Sequence, residues 1–333
     1  MTVLFIGGTL RGYLTLKGLV ESGAGVAGIV SLRQDDHEVE RYEEPIRRLA
    51  EDRGIPHRET KWMKDRDYSA WIRELAPDVA IIVGCRILIP REVYEAPRLG
   101  SLAVHDSLLP AYRGFAPLNW AIINGETQTG VTLFYLNEGM DTGDIVAQRS
   151  VPIGLTDTAP QVYERVCQAT VDVVLEGCGT LEAGSAPRIP QDPAAGSYTC
   201  SRTPGDGEID WRRPTREIFN LVRALAWPYP GAFTWWENRK LIVREAAPVT
   251  DAPVYVGRVP GRVVSTSKSG AVDVLTGDGV LRITKVQQPG CEPVPAASVL
   301  RSVRAALGLS TADLLARIEA LEKALSARAG GEA

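Results

Sequence analysis

His105 and Asp141 are the two side chains of this sequence best suited by type and setting to move a proton. An imidazole titrates near neutrality and a carboxylate beside it favours its charged form, so such a couple can take up and return a proton. His105 directly follows a short apolar run, residues 101–104, at the carboxyl end of a predicted strand, where open α/β sheets place their ligands. Asp141 opens the turn Asp141-Thr142-Gly143 between two later predicted strands and can approach the same end. Between them runs the loop Ser107-Leu108-Leu109-Pro110-Ala111-Tyr112-Arg113-Gly114, with Asn119 just beyond. A histidine standing alone after a strand is usually structural; the carboxylate and the unusual loop turn the reading toward acid–base catalysis. Ser107, Arg113 and Asn119 read as residues that shape the site rather than react, and Trp120 and Trp227 as core.

The elements that must position this couple alternate. Apolar runs at residues 2–6, 26–31, 79–83, 101–104, 130–136 and 145–153 read as strands, and residues 10–21, 44–53, 68–75 and 160–182 as helices. That alternation predicts an α/β fold with a doubly wound, mostly parallel, Rossmann-like sheet. Gly7-Gly8-Thr9-Leu10-Arg11-Gly12 is not a GxGxxG sequence and lacks the acidic partner a ribose needs, so it reads as a tight strand-to-helix turn. Residues 1–186 form the predicted catalytic domain and 187–230 a linker and helix. Residues 231–295 form a smaller β-barrel-like (OB-like) domain, and 296–333 a helical tail. The tail repeats Leu314, Ile318, Leu321 and Leu325 at alternating spacings of 4 and 3, a seam that could pair two copies of the chain or pack on its own domain.

Composition excludes several classes. A chain of 333 residues that is 44% hydrophobic and 23% charged folds, with room for two cores. Its net charge of −4 argues against nucleic acid as the main ligand. The 3 histidines and 5 cysteines show no metal spacing and no disulfide pattern, so no metal is expected. No apolar run reaches the roughly 18 residues a membrane span needs, and the first residues have no basic run or cleavage site, so a cytoplasmic location is expected.

The block from His105 to Ile145 resembles the 10-formyltetrahydrofolate-dependent formyltransferases, which include the methionyl-tRNA, glycinamide ribonucleotide and sugar N-formyltransferases. Within that family the match reads as closest to enzymes that formylate amino sugars. A second block supports it independently: Arg202-Thr203-Pro204-Gly205-Asp206, Ile209-Asp210-Trp211, and Pro228-Tyr229-Pro230-Gly231-Ala232-Phe233. The resemblance implies a one-carbon transferase using 10-formyltetrahydrofolate or another tetrahydrofolate one-carbon derivative. His105 and Asp141 would be two members of a catalytic trio. The third, an Asn two residues before the His, is replaced by Ala103. The folate would lie against the backbone of Gly84, Cys85, Arg86, Ile87, Leu88 and Ile89, supported by Leu109 and Pro110 and closed over by the Asp141 loop.

Ala103 cannot donate the hydrogen bond that an Asn amide gives to a developing oxyanion, a contribution of about 2.7–4 kcal/mol. Three accounts stay open. The alanine is an engineered Asn→Ala change made to trap a complex, or marks a catalytically impaired or merely binding homologue; another donor such as Asn119, Asn137, a backbone N–H or water substitutes; or the unit carried is formimidoyl, whose protonated nitrogen an amide N–H would repel. The stretch from Arg33 to Arg48 holds Asp35, Asp36, Glu38, Glu40, Glu43 and Glu44 against Arg33, Arg41, Arg47 and Arg48, too acidic to grip a tRNA. The expected acceptor is therefore a primary amine on a small molecule, such as an amino sugar or an amine-containing natural product.

Overall fold

A computed structural model describes residues 1–34, 40–63, 66–85, 87–309 and 311–329 in two compact units, Met1–Arg202 and Thr203–Ala333. In the first unit β1 (Thr2–Gly7), α1 (Thr9–Glu21), β2 (Gly25–Leu32), α2 (Glu43–Asp52), β3 (His57–Thr60), α3 (Arg66–Leu75), β4 (Val79–Val83) and α4 (Arg91–Tyr94) alternate. There follow β5 (Ser101–His105), β6 (Arg113–Gly114), α5 (Pro117–Ile123), β7 (Gln128–Tyr135), β8 (Ile145–Pro152), α6 (Ala159–Glu182) and β9 (Tyr198–Thr199). The central strands are apolar on both faces because helices cover both; every residue of β4 is buried.

The seven-stranded sheet has the order β3-β2-β1-β4-β5-β7-β8. It is parallel from β3 through β5, and β7 runs antiparallel to both β5 and β8. The order reverses between β1 and β4, so the crevice lies at the carboxyl ends of these strands and of β5. Leu4, Ile6, Ile72, Ala80, Ile82, Ala103 and Phe134 form one buried layer of the core. The doubly wound sheet expected from the sequence is present, with β7 as its reversed strand.

Residues 187–202, linker-like in composition, belong to the first unit. β9 pairs in parallel with β6, and Ile189 bridges Ile145. Their Pro, Ala, Gly and Ser content says nothing of the fact that the loop after β5 needs a backbone partner.

The second unit comprises α7 (Thr215–Ala224), β10 (Ala232–Trp236), β11 (Arg239–Pro248), β12 (Val263–Thr266), β13 (Val272–Leu275), β14 (Val280–Gln287), β15 (Val294–Pro295), α8 (Ala296–Val299) and α9 (Thr311–Ala329). Its sheet is antiparallel throughout, ordered β10-β11-β14-β13-β12 with β15 on β14. What the described residues show is a small antiparallel β unit whose strand path ends at β10 and β12. Residues 257–262 are not strand: β12 begins only at Val263, because Pro260-Gly261 makes a turn before it. Gly261 has φ +85, and a Cβ on it would stand 2.3 Å from the Leu307 carbonyl. The tail helix α9 forms as expected, with Leu314, Leu315, Ile318 and Leu321 about half exposed; the Leu325 side chain lies outside the described residues. No described helix is long and apolar enough to cross a membrane.

Candidate active site

His105 is the last residue of β5, only 8% exposed. Its Nε2 stands 2.7 Å from the Tyr112 carbonyl and its Nδ1 3.5 Å from Asp141 Oδ2. A carbonyl only accepts, so Nε2 carries the hydrogen and donates it to Tyr112. In the neutral imidazole Nδ1 then holds the lone pair, and it faces the carboxylate. Burial holds the imidazole below its ordinary value of 6.5, reinforced by the Arg11 guanidinium and opposed by Asp141 and the Tyr112 carbonyl. The arrangement is a neutral base with one nitrogen fixed and the other free to take a proton.

Three devices place Asp141. Its backbone is left-handed, φ 53, as is that of Tyr112, φ 59, an uncommon conformation for such residues and one that concentrates at functional sites. Its Oδ2 accepts the Gly114 N–H at 2.8 Å. Gln191 Nε2 donates to the carbonyls of Asp141, 2.9 Å, and Gly143, 2.7 Å. Gly143 itself is obligatory, because a Cβ there would stand 1.7 Å from the Tyr135 carbonyl. Gln191 Oε1 in turn accepts from Nε and Nη2 of Arg113, whose guanidinium is buried and also reaches the Tyr198 hydroxyl. Arg113 thus shapes the site through Gln191, a residue that sequence reasoning misses because it sits in linker-like composition.

The remaining candidates fall into two groups. Ala103 and Leu109 are buried in one cluster, with Cys85, Ile87 and Ile89 packed against it. Ala103 precedes His105 by two residues, so both point to the same face of the sheet. Gly84 has φ +66, and a Cβ there would press on the Gly8 carbonyl at 2.9 Å. Among the described residues, the N–H groups of Cys85, Ile87, Leu88 and Ile89 donate no backbone hydrogen bond. Burial pushes the Cys85 thiol up to about 11, so it is no thiolate at neutral pH. Leu88 is 94% exposed, and Arg86 lies outside the described residues.

Leu109 and Pro110 are anchored through backbone: Gln148 Nε2 donates to the Leu109 carbonyl at 2.7 Å, and the Ser197 N–H to that of Pro110 at 3.2 Å. Ser107 is buried with its hydroxyl on the Ala111 carbonyl, 2.6 Å, so it holds the loop. Asn119 is buried on α5. Asn137 is committed to the Asp141 turn, its Oδ1 accepting from Gly139 N–H and the Thr142 hydroxyl. Trp120 is partly exposed with its indole N–H on the Cys200 carbonyl, and Trp227 is 61% exposed, so neither is a core residue. Among the described residues no group of His, Cys, Asp and Glu could hold a metal.

A doubly wound sheet that carries a buried imidazole at the end of one strand and a carboxylate 3.5 Å from it places the chain among the open-sheet α/β proteins. More particularly, the chain belongs to the formyl transferase family: residues 5–177 match the formyl transferase domain and residues 202–304 its C-terminal domain. A methionyl-tRNA formyltransferase of Geobacter metallireducens is 33% identical over 313 residues, covering 93% of this chain and 98% of that protein. One from Synechococcus sp. (strain JA-2-3B'a(2-13)) is 38% identical over 251 residues, 74% of this chain and 77% of that protein.

Among solved structures, HypX from Aquifex aeolicus in complex with tetrahydrofolic acid is similar with a TM-score of 0.63 at 22% identity, over 90% of this chain and 47% of HypX. WlaRD, a sugar 3N-formyl transferase solved in the presence of dTDP and 5-N-formyl-THF, gives 0.64 at 19% identity, over 88% of this chain and 99% of WlaRD. At such identities these structures establish the shared fold. These sequence relatives carry the tRNA enzyme's name, while the sugar enzymes are similar in structure.

Proposed function

We propose that this chain transfers a formyl group from 10-formyltetrahydrofolate to the primary amine of a small molecule, with His105 and Asp141 handling the proton. The observation that carries the reading is the fixed imidazole: Nε2 is tied to Tyr112 while Nδ1 faces Asp141 at 3.5 Å. The backbone N–H groups of Cys85, Ile87, Leu88 and Ile89, without a backbone acceptor among the described residues, stand beside the Ala103–Leu109 cluster and fit a flat heterocycle with alternating donors and acceptors. These residues, with Gly84, Arg86, Pro110 and the Asp141 loop, would hold the folate, whose bound form supplies the one-carbon unit.

In this reading the neutral Nδ1 of His105 takes the proton the attacking amine must lose. Asp141 stabilises the imidazolium so formed, and the proton leaves by the same nitrogen. Tyr112 keeps the ring from turning while this happens.

For the acceptor, charge supports a small molecule. Each of the four bases between residues 33 and 48 has a carboxylate partner. Arg33 meets Glu59 at 2.8 Å, Arg41 meets Glu43 at 3.8 Å, Arg47 meets Glu44 and Glu51, and Arg48 meets Glu44 at 2.7 Å. The stretch therefore offers a phosphate backbone no excess of positive charge. Asp35, Asp36 and Glu38 of this stretch lie outside the described residues.

A second reading of the one-carbon unit rests on Ala103, a buried methyl where the family motif has an amide donor. A formimidoyl group needs no such donor.

The test is product mass after incubating the full chain with 10-formyltetrahydrofolate or its formimino counterpart and three acceptor sets. These are nucleotide-linked amino sugars, amine natural products such as aminoglycosides, and aminoacylated initiator tRNA. A formylated small amine is the expected result. Formylated methionyl-tRNA with every small amine untouched would overturn the acceptor assignment. A product lighter by about one mass unit than the formyl amide would transfer the assignment to formimidoyl.

A further inference from the structure

The glycine-rich segment that opens α1 contains one charged residue that the proposed reaction leaves without a role. Arg11 lies in the first turn of α1 and is only 8% exposed, and its Nη1 pairs with Oδ1 of Asp106, whose side chain is 16% exposed. Asp106 is the residue that immediately follows His105. A guanidinium this deeply buried is tolerated only when it is paired, and removing one partner of such a pair leaves the other as an uncompensated charge. Here either charge left behind would stand next to the imidazole.

The segment is held from the other side as well. The Thr129 hydroxyl donates to the Asp106 carbonyl at 3.1 Å, and the Thr132 hydroxyl to that of Ser107 at 2.7 Å. The stretch after β5 is thus pinned between β7 and α1. Facing His105 are Asp141 from the loop before β8 and the Tyr112 carbonyl, with the Arg11 guanidinium of α1 close enough to act on the ring and its partner Asp106 next in the chain. Asp106 offsets the Arg11 charge in large part, so that the lowering Arg11 exerts on the ring stays smaller than the effects of burial and of Asp141.

We propose that Arg11 and Asp106 form a positioning pair, which locks the strand end carrying His105 and keeps opposite charges in balance near the imidazole. The inference rests on the reading of His105 as the proton carrier, and its test does not depend on knowing the acceptor. The chain has 3 histidines, so nuclear magnetic resonance of histidine-labelled full-length protein, assigned with His105→Gln, follows each ring through a pH titration.

Arg11→Met strands the Asp106 carboxylate beside the ring and is expected to raise the His105 midpoint by about one unit or more. Asp106→Asn strands the guanidinium and is expected to lower it. The double variant returns it to within about half a unit of the starting value, and Arg11→Lys, which keeps the charge, leaves it nearly unmoved. A staple with only a mechanical role would not move the two single variants in opposite directions. Shifts of the same sign, or no shift in either single variant, would overturn the proposal. If Arg11→Met fails to fold, the sign of the Asp106→Asn shift decides alone. Near-normal transfer by His105→Gln would instead sink the underlying reading of His105, an outcome read from turnover and not from the titration.

Discussion

The two units solve the problem of burying polar groups in different ways. The second unit, residues 203–333, has 17 Lys and Arg against 14 Asp and Glu, and among the described residues it keeps nearly all of them out of its core. Of its few buried polar side chains, Arg223 pairs with Asn220 at 2.9 Å and Thr234 accepts the Trp211 indole N–H at 2.9 Å, so each is settled locally. The first unit, residues 1–202, has 20 against 27, holds all three histidines, and buries Arg11, His105 and Arg113 around one strand end. Interring ionisable groups costs free energy unless each is paired or hydrogen-bonded, and their concentration beside β5 is what the proposed site would require.

The sharpest way to break this contrast is to remove the chemistry without the fold, and the fold without the chemistry. His105→Gln and Asp141→Asn should each lower turnover by about 10²–10⁴ while leaving thermal unfolding within a few degrees of the parent. Leu281→Ala, at a fully buried position of β14, should cost about 2–5 kcal/mol of stability, with turnover per folded molecule unchanged. Steady-state kinetics beside calorimetry reads both, and a His105→Gln protein that melts early but turns over normally would erase the distinction.

Ala103→Asn sharpens it next. If the transferred unit is formyl, restoring the amide donor should raise turnover by up to about 10²–10³ with the formyl donor. If the unit is formimidoyl, the same change should slow the reaction, because the new N–H faces a group that is itself a donor. Single-turnover rates with the two folate species decide between these signs.

Gln191→Ala comes third. It frees the carbonyls of Asp141 and Gly143 and strands the Arg113 guanidinium, so Asp141 drifts from its place opposite Nδ1. A loss of about 10- to 100-fold in kcat is expected, since a displacement near 1 Å is enough for that. KM for the acceptor should change little.

How much of this is legible in the residues differs between the two units for the same reason that their polar groups do. The sheet of the first unit can be read because strands covered on both faces must be continuously apolar, as 79–83 is, and the helices between them keep a clean period. His105 and Asp141 can be paired from the sequence because strand-end loops converge at one edge of such a sheet. Gln191 cannot, since its role depends on β9 lying along β6, a long-range pairing that two short strands do not announce. Arg11 reads as part of a glycine turn because nothing local says that Asp106 closes over it. Trp227 reads as core from its size alone, yet it is 61% exposed with the Arg244 guanidinium 5.7 Å from its ring, a contact that a single sequence does not encode. In the second unit Pro and Gly mark strand breaks, as Pro260-Gly261 does in the turn that precedes β12.

The mildest test is of stability against pH, and it separates the units by where each begins to weaken. Desolvation lowers both His105 and His57 below 6.5, the latter while its Nε2 contacts the Ser31 hydroxyl at 2.8 Å. A histidine whose folded value lies below its unfolded value binds fewer protons when folded. Stability of the first unit should therefore fall as pH drops below about 6.5 and level off beneath the folded values. Each histidine contributes at most about 1.4 kcal/mol to that loss for every pH unit between its unfolded and folded midpoints. The second unit has no histidine. Its lowered acids are carboxylates such as Asp210, held down by Arg212, and Asp278, held down by the Thr215 N–H, both from an ordinary 3.8. Such groups contribute stability above the unfolded value and lose it only as pH falls through the folded one, so this unit should hold until about pH 4. Hydrogen exchange resolved by peptide at pH 7.5, 6, 5 and 4, corrected for intrinsic rates, should show the first unit opening earlier. His57→Gln should remove part of that early loss and leave turnover intact, because His57 stands on β3, with β2, β1 and β4 between it and β5, and touches none of the groups around His105.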